Sequence, residues 1–303
     1  MKRIMILPRV QVQNANAQSS PYTIGLPAIT AFSGAVHALQ RILNAGRFST
    51  IKFKGVGVVC HDIKLQTYKG PGDYVRSIIG TANPLVPDTK WEAPFKRPAF
   101  VEEARCHLTV SLVIEYEGLE KDDEEDARAD ITSALNAKMK LAGGDILKFE
   151  DPDFLKVDDE GKNFARLMRR LMPGHAIIER RELMEQAMDE GADAVTALLD
   201  HLKVMHRSEI QSGEKEKEKK VLWTSKRKES GWIVPVAVGF QSITELGTAR
   251  FQRDPDTPHC FAEAVVTLGE FVMSYRIKAL DHILWRYYTD PAAGLYLCRQ
   301  KIQ

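Results

Sequence analysis

Side-chain amides and hydroxyls are concentrated in one short stretch near the amino terminus, from Gln13 to Thr23. These groups both donate and accept hydrogen bonds, which is the chemistry that recognises base edges, ribose hydroxyls and phosphate oxygens. Pro21, Gly25 and Pro27 punctuate the stretch, so its backbone is expected to turn repeatedly. No acidic residue occurs anywhere in residues 13–41. The polar candidates for ligand contact are Gln11, Gln13, Asn14, Asn16, Ser19, Ser20 and Thr23.

Basic side chains accompany these polar groups through the first third of the chain. Residues 1–100 hold 13 Lys and Arg against 4 Asp and Glu, an excess of nine positive charges on a chain whose net charge is only +1. Residues 101–210 hold 15 against 26, and residues 211–303 hold 14 against 11. Such asymmetry indicates a local footprint for phosphates, with the acidic middle facing solvent or a basic neighbour. The basic candidates and one histidine are Arg9, His37, Arg41, Lys52, Lys54, Lys69 and Arg76.

No catalytic or metal-binding pattern stands out in the sequence. The four cysteines are widely separated and form no C-x-x-C pair. Cys60, His61 and Asp62 are consecutive, so along a strand they would point to alternating faces. Paired carboxylates in an apolar setting, a nucleophile with its base and a phosphate-cradling glycine loop are all missing. We therefore expect no metal, no other cofactor and no enzymatic activity.

A helix is predicted between Pro27, which suits a first helical position, and Gly46, which suits the residue after the last turn. Its core stripe consists of Phe32, Val36, Leu39 and Leu43. A second stripe, made of small residues that let the helix lie close against a sheet or a partner, consists of Ala31, Gly34, Ala35 and Ala38. Composition alone also fits a plain turn-rich loop followed by an ordinary amphipathic helix.

Alternating apolar residues predict strands at 3–13, from Ile51 to Tyr68 and from Ala104 to Tyr116, and a helix is predicted from Asp122 to Leu141. The order strand, helix, strand, strand, helix indicates an α+β fold. It favours a ferredoxin-like or RNA-recognition-type module, in which two helices cover one side of an antiparallel sheet.

The other segments predict additions to this core, which is assigned to residues 1–160. Residues 70–100 form a long Pro- and Gly-rich loop whose rings and cations suit single-stranded RNA, although the rings also suit core packing. These side chains are Tyr74, Arg76, Lys90, Trp91, Phe95, Lys96 and Arg97. A helical insertion is predicted at 161–210 and a charged loop at 211–230, while strands at 231–303 complete the core.

Several short strings resemble one known family. LPR, QNANA, SSP and HALQR occur in order between Leu7 and Arg41, and GWIVPVAVGF follows at 231–240. They are similar to the second-subunit family of the type I-F CRISPR surveillance assembly, the Csy complex, a Cas-five-like group. The strings are unusual and occur in the right order with nearly the right spacing, which makes the resemblance specific.

The resemblance implies a non-catalytic subunit that acts in antiviral defence, and the lack of a membrane span or secretory signal in the sequence predicts a cytoplasmic protein. Such a subunit binds the 5′ handle of the guide RNA, pairs with the large Csy subunit as a heterodimer and abuts the terminal copy of the repeated backbone subunit. Whether it also contacts target DNA stays open. No run approaches the roughly 20 apolar residues of a membrane span, so no membrane association is expected.

Two alternatives remain at this point. In some related systems a Cas-five-type subunit cuts precursor guide RNA, and the candidate residues here would be His37, His61, Tyr68 and Lys69. Metal-independent cleavage of repeat RNA that is lost on changing His37 or His61 would identify this endoribonuclease. The other alternative is a protein-only scaffold whose basic third docks on an acidic partner, and an assembly free of RNA would favour it.

Overall fold

The structure is a computed structural model that describes residues 1–80, 86–87, 95–96, 103–158, 161–212, 219–252 and 254–301. Its helices are α1 (Ile29–Ala45), α2 (Glu124–Ala137), α3 (Lys162–Arg170), α4 (Arg181–Asp189) and α5 (Ala194–Leu202). Its strands are β1 (Lys2–Asn16), β2 (Gln18–Ser20), β3 (Thr23–Ile24), β4 (Lys52–Leu65), β5 (Thr67–Tyr68), β6 (Ser77–Ile78), β7 (Val86–Pro87), β8 (Phe95–Lys96), β9 (Arg105–Glu117), β10 (Lys140–Leu141), β11 (Gly144–Lys148), β12 (Asp153–Val157), β13 (His175–Glu179), β14 (Met205–Ser212), β15 (Lys219–Lys226), β16 (Ile233–Ser242), β17 (Ala262–Met273), β18 (Leu284–Asp290) and β19 (Leu295–Arg299). Short 3₁₀ turns occupy Ser274–Arg276 and Leu280–His282. The predicted loop contacts Lys90, Trp91 and Arg97 lie outside the described residues.

Eleven strands form one sheet in the order β10-β11-β1-β9-β4-β13-β17-β16-β19-β18, with β12 added to β1. Each of these pairings is antiparallel. Strand β18 also pairs with β4, so the part of the sheet from β4 to β18 closes into a ring. The predicted α+β class is confirmed, since helices pack on a large antiparallel sheet.

Helices cover both faces of the sheet at β1, and alternate residues of this strand contribute to two different apolar cores. In β1, Met5 and Leu7 pack with α1 and α2, whereas Ile4 and Ile6 pack with α3 and the 3₁₀ turns. All four of these side chains are buried. Because neither face of β1 meets water, this part of the strand is apolar without interruption, as expected for a doubly covered strand. A third apolar cluster joins α4 and α5 to β16 and β17.

Helix α1 confirms the predicted core stripe, because Phe32, Val36, Leu39 and Leu43 are all buried. The helix starts at Ile29, just after Pro27, and ends where the Gly46 amide donates to the Leu43 carbonyl. No side chain caps its N-terminus, and its first turn contains no acidic residue. The first-turn amides therefore keep the positive end of the helix dipole, to which anions are attracted.

Three sequence predictions differ from the structure. The range predicted as a charged loop, 211–230, contains β15 and the end of β14, and these two strands pair with each other. The helix expected to reach Leu141 ends at Ala137, because Lys140 and Leu141 instead pair with β11. The segment predicted as a helical insertion contains α3, α4 and α5, but also β13, which lies between β4 and β17. Strand β13, with the sequence HAIIE, is too short for its periodicity to separate a buried strand from a helix.

Candidate nucleic-acid interface

Two irregularities in β1 decide where its polar side chains point. The register of β1 against β9 shifts between Leu7 and Val10 and again between Val12 and Ala15. Arg9 and Asn14 lie at these shifts with φ of 46° and 56°, in the left-handed region that Asn tolerates better than most residues. Bulges of this kind re-aim side chains relative to a regular strand. Here they turn Asn14 out to solvent at the end of the strand.

Asn14 joins a cluster of polar side chains at this end of the sheet. Gln66 donates from Nε2 to Asn14 Oδ1 over 2.6 Å, and the same Nε2 lies 3.3 Å from His107 Nε2. The Asn14 amide donates to His107 Nδ1 over 3.4 Å, and Arg105 donates to the Asn14 carbonyl over 3.3 Å. Residues that are distant in sequence thus bring donors and acceptors together beside the polar stretch. His107, on β9, belongs to this cluster.

An open groove of about 600 Å³ begins beside this cluster and runs along α1. One wall is the polar segment that contains Asn16, Gln18 and Ser19. The opposite wall is α1 together with Ala28, the residue that precedes its first turn. Asn16 Oδ1 accepts from the Gln18 amide over 2.8 Å, so this wall has a fixed turn. The groove therefore places amides and a hydroxyl opposite an uncapped helix start.

The helix wall is formed by the predicted small-residue stripe. Its members are Ala31, Gly34, Ala35 and Ala38. Gly34 is exposed in the middle of α1, and a Cβ built there meets no atom within 4 Å. A glycine inside a helix costs roughly 0.5–1 kcal/mol relative to Ala. No contact within the described residues requires this glycine, so we infer that the stripe leaves room for a ligand lying against the helix.

Two cations and one carboxylate stand at the edges of the groove: Arg105, Lys140 and Glu103. Arg105 pairs with Glu103 at 2.6 Å, and Lys140 pairs with Asp145 at 2.9 Å. Lys140 and Asp145 are both exposed, and exposed ion pairs contribute only about 0–1 kcal/mol. A phosphate can therefore replace such a partner at little cost. Neither cation was predicted from the sequence, because both lie in the third of the chain whose net charge is negative.

The hydroxyls of the β2–β3 turn satisfy each other. Ser20 Oγ lies 2.6 Å and Ser19 Oγ 3.0 Å from Thr23 Oγ1. Ser20 and Thr23 are both buried. These two predicted contact residues therefore shape the turn, whereas Ser19 also lines the groove.

The remaining predicted contacts lie in several places. His37 and Lys54 line a separate cavity of about 320 Å³ with Trp285 and Arg286. Six more of the predicted contact residues are exposed but line neither the groove nor this cavity. They are Gln11, Gln13, Arg41, Lys52, Lys69 and Arg76. The structure thus does not gather the predicted set into one site.

Arg9 lies on the side of the sheet that α3 covers, away from the groove. Its guanidinium donates to the Met172 carbonyl over 3.0 Å and lies 3.5 Å from Glu150, while its amide donates to Ser111 Oγ. His61 joins the same network through Ser111 Oγ at 2.7 Å and the Pro173 carbonyl at 2.6 Å. This network connects β1, β4 and β9 to the end of α3. A strand seated in the groove would not reach it.

The His61 ring gives a pH prediction. Burial lowers its pKa below the ordinary histidine value, so the unfolded chain binds a proton more readily than the folded one. The free energy of unfolding should therefore fall as the pH drops through about 6.5. Urea unfolding of the His61→Gln variant should show a weaker fall over this pH range than the unsubstituted chain. Parallel curves for the two proteins would contradict this role for His61.

The described residues contain no group of three or more His, Cys, Asp or Glu side chains that could hold a metal ion. Within the same residues, no helix is long and apolar enough to cross a lipid bilayer.

The fold and the groove define a structural class. The protein is an α+β protein with a polar groove between an uncapped helix and an irregular edge segment.

Sequence comparison identifies the family. A family model described as CRISPR-associated protein (Cas_Csy2) matches residues 5–298. A Pseudomonas aeruginosa (strain UCBPP-PA14) protein named CRISPR-associated protein Csy2 is 35% identical over 315 aligned positions, covering 97% of this chain and 94% of that protein. The chain belongs to the Csy2 family, the second-subunit family of the type I-F Csy complex.

Proposed function

We propose that this chain is a non-catalytic subunit of a type I-F CRISPR surveillance complex and that it binds the 5′ handle of the guide RNA in the α1 groove. The observation that carries this proposal is the groove itself, which combines an uncapped helix start, amides and two edge cations. Each of these features suits a single strand with exposed bases and phosphates.

The groove residues divide into two roles. Arg105 and Lys140 supply positive charge for phosphates, and Ala28 and Ala31, at the start of α1, line the same space. Asn16, Gln18 and Ser19 offer donors and acceptors to base edges and 2′-hydroxyls. The small residues of α1 let a ribose or a base approach the helix closely.

The arrangement around the groove supports the RNA-recognition-type module. The sheet order β11-β1-β9-β4, with α1 between β1 and β4 and α2 between β9 and β10, is the order expected of a ferredoxin-like unit. We infer that this part is that module and that the strands after β12 extend it.

The absence of catalysis is likewise part of the proposal, and the positions of the candidate groups support it. His37 lies on α1 beside one cavity, whereas His61 lies on the α3 side, held between Ser111 and Pro173. Tyr68 and Lys69 lie beyond the end of β4, with Tyr68 paired in the small β5–β6 sheet. An RNA-cutting site needs such groups near one phosphate. Their separation favours binding over cleavage.

Partners follow from membership in the complex. We propose the large Csy subunit as the heterodimer partner and the terminal backbone subunit as a neighbour, acting together in the cytoplasm in antiviral defence. The acidic first turn of α2, with Glu124, Glu125 and Asp126, points to a neighbour other than nucleic acid on that side.

A double substitution tests the groove directly. In Arg105→Ala with Lys140→Ala, RNA binding should weaken and the slope of log affinity against log salt should fall by about 1.4, roughly 0.7 for each lost phosphate contact to a single strand. Fluorescence anisotropy with labelled repeat RNA at several salt concentrations measures this slope.

The matched control is Lys121→Ala with Lys148→Ala, which removes two exposed cations that do not line the groove. The control should keep the original slope. An unchanged slope in the groove variant, or an equal loss in the control, would remove Arg105 and Lys140 from the interface.

A further inference from the structure

A second cationic surface lies on the opposite side of the sheet from the groove. Helix α3 carries Lys162, Arg166 and Arg169 at positions i, i+4 and i+7, and all three are exposed. This spacing places them on one face of the helix. Arg276 and Lys278, also exposed, lie at the 3₁₀ turn that packs beside α3. We call these five residues the α3 patch.

The patch rests on a rigid base. The apolar face of α3, with Leu167, Met168 and Leu171, is buried against the cluster that also contains Ile277. The Ser274 amide and hydroxyl both donate to the Gly174 carbonyl at 3.1 Å, which fixes the 3₁₀ turn next to the segment that follows α3. The two elements therefore hold their cations in a constant arrangement.

The cations of the patch have no acidic partner among the described residues. Arg170, which is also on α3 but half-buried, bonds to Asp153 and is not part of the patch. None of the five patch residues forms such a pair within the described part of the chain, and α3 itself contains no Asp or Glu. Asp159 and Glu160 precede the helix in sequence and lie outside the described residues. Arg166 and Arg169 are six to ten residues further along the sequence.

Exposed cations that have no acidic partner among the described residues favour a polyanion as the ligand. A protein interface usually has an apolar or aromatic centre. Among the described residues of α3 and the adjoining 3₁₀ turn, Tyr275 is the one large exposed ring, and the Arg276 guanidinium lies 5.9 Å from its centroid. Single strands are gripped by successive stacked rings, which one tyrosine does not provide. A duplex can bind such a surface through its phosphate backbone alone, without stacking or base contacts.

We propose that the α3 patch binds the phosphate backbone of a nucleic-acid duplex without reading its sequence. The ligand is separate from the strand assigned to the α1 groove, because the two sites lie on opposite faces of the sheet. The inference therefore stands or falls independently of the proposed guide-RNA site.

The test uses the full chain and the co-expressed assembly, with a labelled random-sequence DNA duplex several helical turns long. In Arg166→Ala, Arg169→Ala, Arg276→Ala, duplex affinity should drop and the slope of log affinity against log salt should fall by about 2.7, roughly 0.9 for each contact. The matched control is Lys121→Ala, Lys138→Ala, Lys148→Ala, which removes three exposed cations outside the patch and should leave the slope unchanged. Guide-RNA retention should be equal in both variants.

Three results would overturn the proposal. The first is an unchanged duplex slope in the patch variant, and the second is an equal loss in the control. The third is a patch variant that binds duplex normally but no longer co-purifies with the other subunits, which would make the patch a protein interface. Loss of guide RNA in the Arg105→Ala, Lys140→Ala variant, with duplex binding intact, would separate the two sites.

Discussion

Gly34→Leu is expected to weaken RNA binding while making α1 more stable. Leu has a much higher helix propensity than Gly, so the substitution should raise the free energy of unfolding by roughly 0.5–1 kcal/mol. Its side chain would project into the groove, where nothing in the free chain blocks it. A clash with a bound strand costs on the order of 1–3 kcal/mol, which corresponds to about 5- to 150-fold in affinity. Urea unfolding and anisotropy with repeat RNA measure the two effects.

Gly34→Ala is the matched control for this prediction. It brings a similar gain in helix propensity but adds only one methyl group, so RNA binding should stay within a few-fold of the original. Loss of RNA in Gly34→Leu together with the expected rise in the free energy of unfolding locates the ligand against α1. Full RNA binding by the Gly34→Leu variant would show that no strand lies there.

Phe32→Ala should be the most destabilising single substitution among the α1 core positions. Phe32 lies on the buried side of α1, the helix that forms one wall of the groove, and is fully buried in the main apolar cluster. Removal of a buried aromatic side chain costs about 3–5 kcal/mol, through lost apolar burial and the cavity that remains. That loss is a large part of the roughly 5–15 kcal/mol that stabilises a typical domain. Thermal and urea unfolding should both report it.

Arg41→Ala is the control on the same helix, because this side chain is exposed. Its effect on the free energy of unfolding should stay within about 0.5 kcal/mol. A Phe32→Ala variant as stable as Arg41→Ala would mean that α1 does not pack as described.

The sequence was sufficient to predict the elements in which local pattern and burial agree. The stripe from Phe32 to Leu43 and the alternation in β9 are strong signals, because each has one period over many residues. Strand β13 was not predictable in this way, since it is short and its surroundings are helical. The end of α2 was also mistaken, because Lys140 and Leu141 form a tight hairpin with β11 across Ala142 and Gly143, both at positive φ.

The site was less predictable than the fold, and the reason is geometric. Charge and polarity along the sequence identified Asn16 and Ser19, which do line the groove. They also selected Arg9, which the bulge in β1 places on the α3 side. Arg105 was passed over because its neighbours in sequence are acidic, although β9 carries it to the groove edge. Local composition does not report which side of a sheet a side chain faces after a bulge.

The most direct test of the central claim is ultraviolet cross-linking of the RNA that co-purifies with the co-expressed assembly, followed by peptide mapping and sequencing of the linked RNA. We expect one RNA of uniform length whose 5′ segment is linked to peptides of the groove, from Asn16 to Ala38 or around Arg105. Linkage of that 5′ segment to another polypeptide, with no linkage to this groove, would contradict the account.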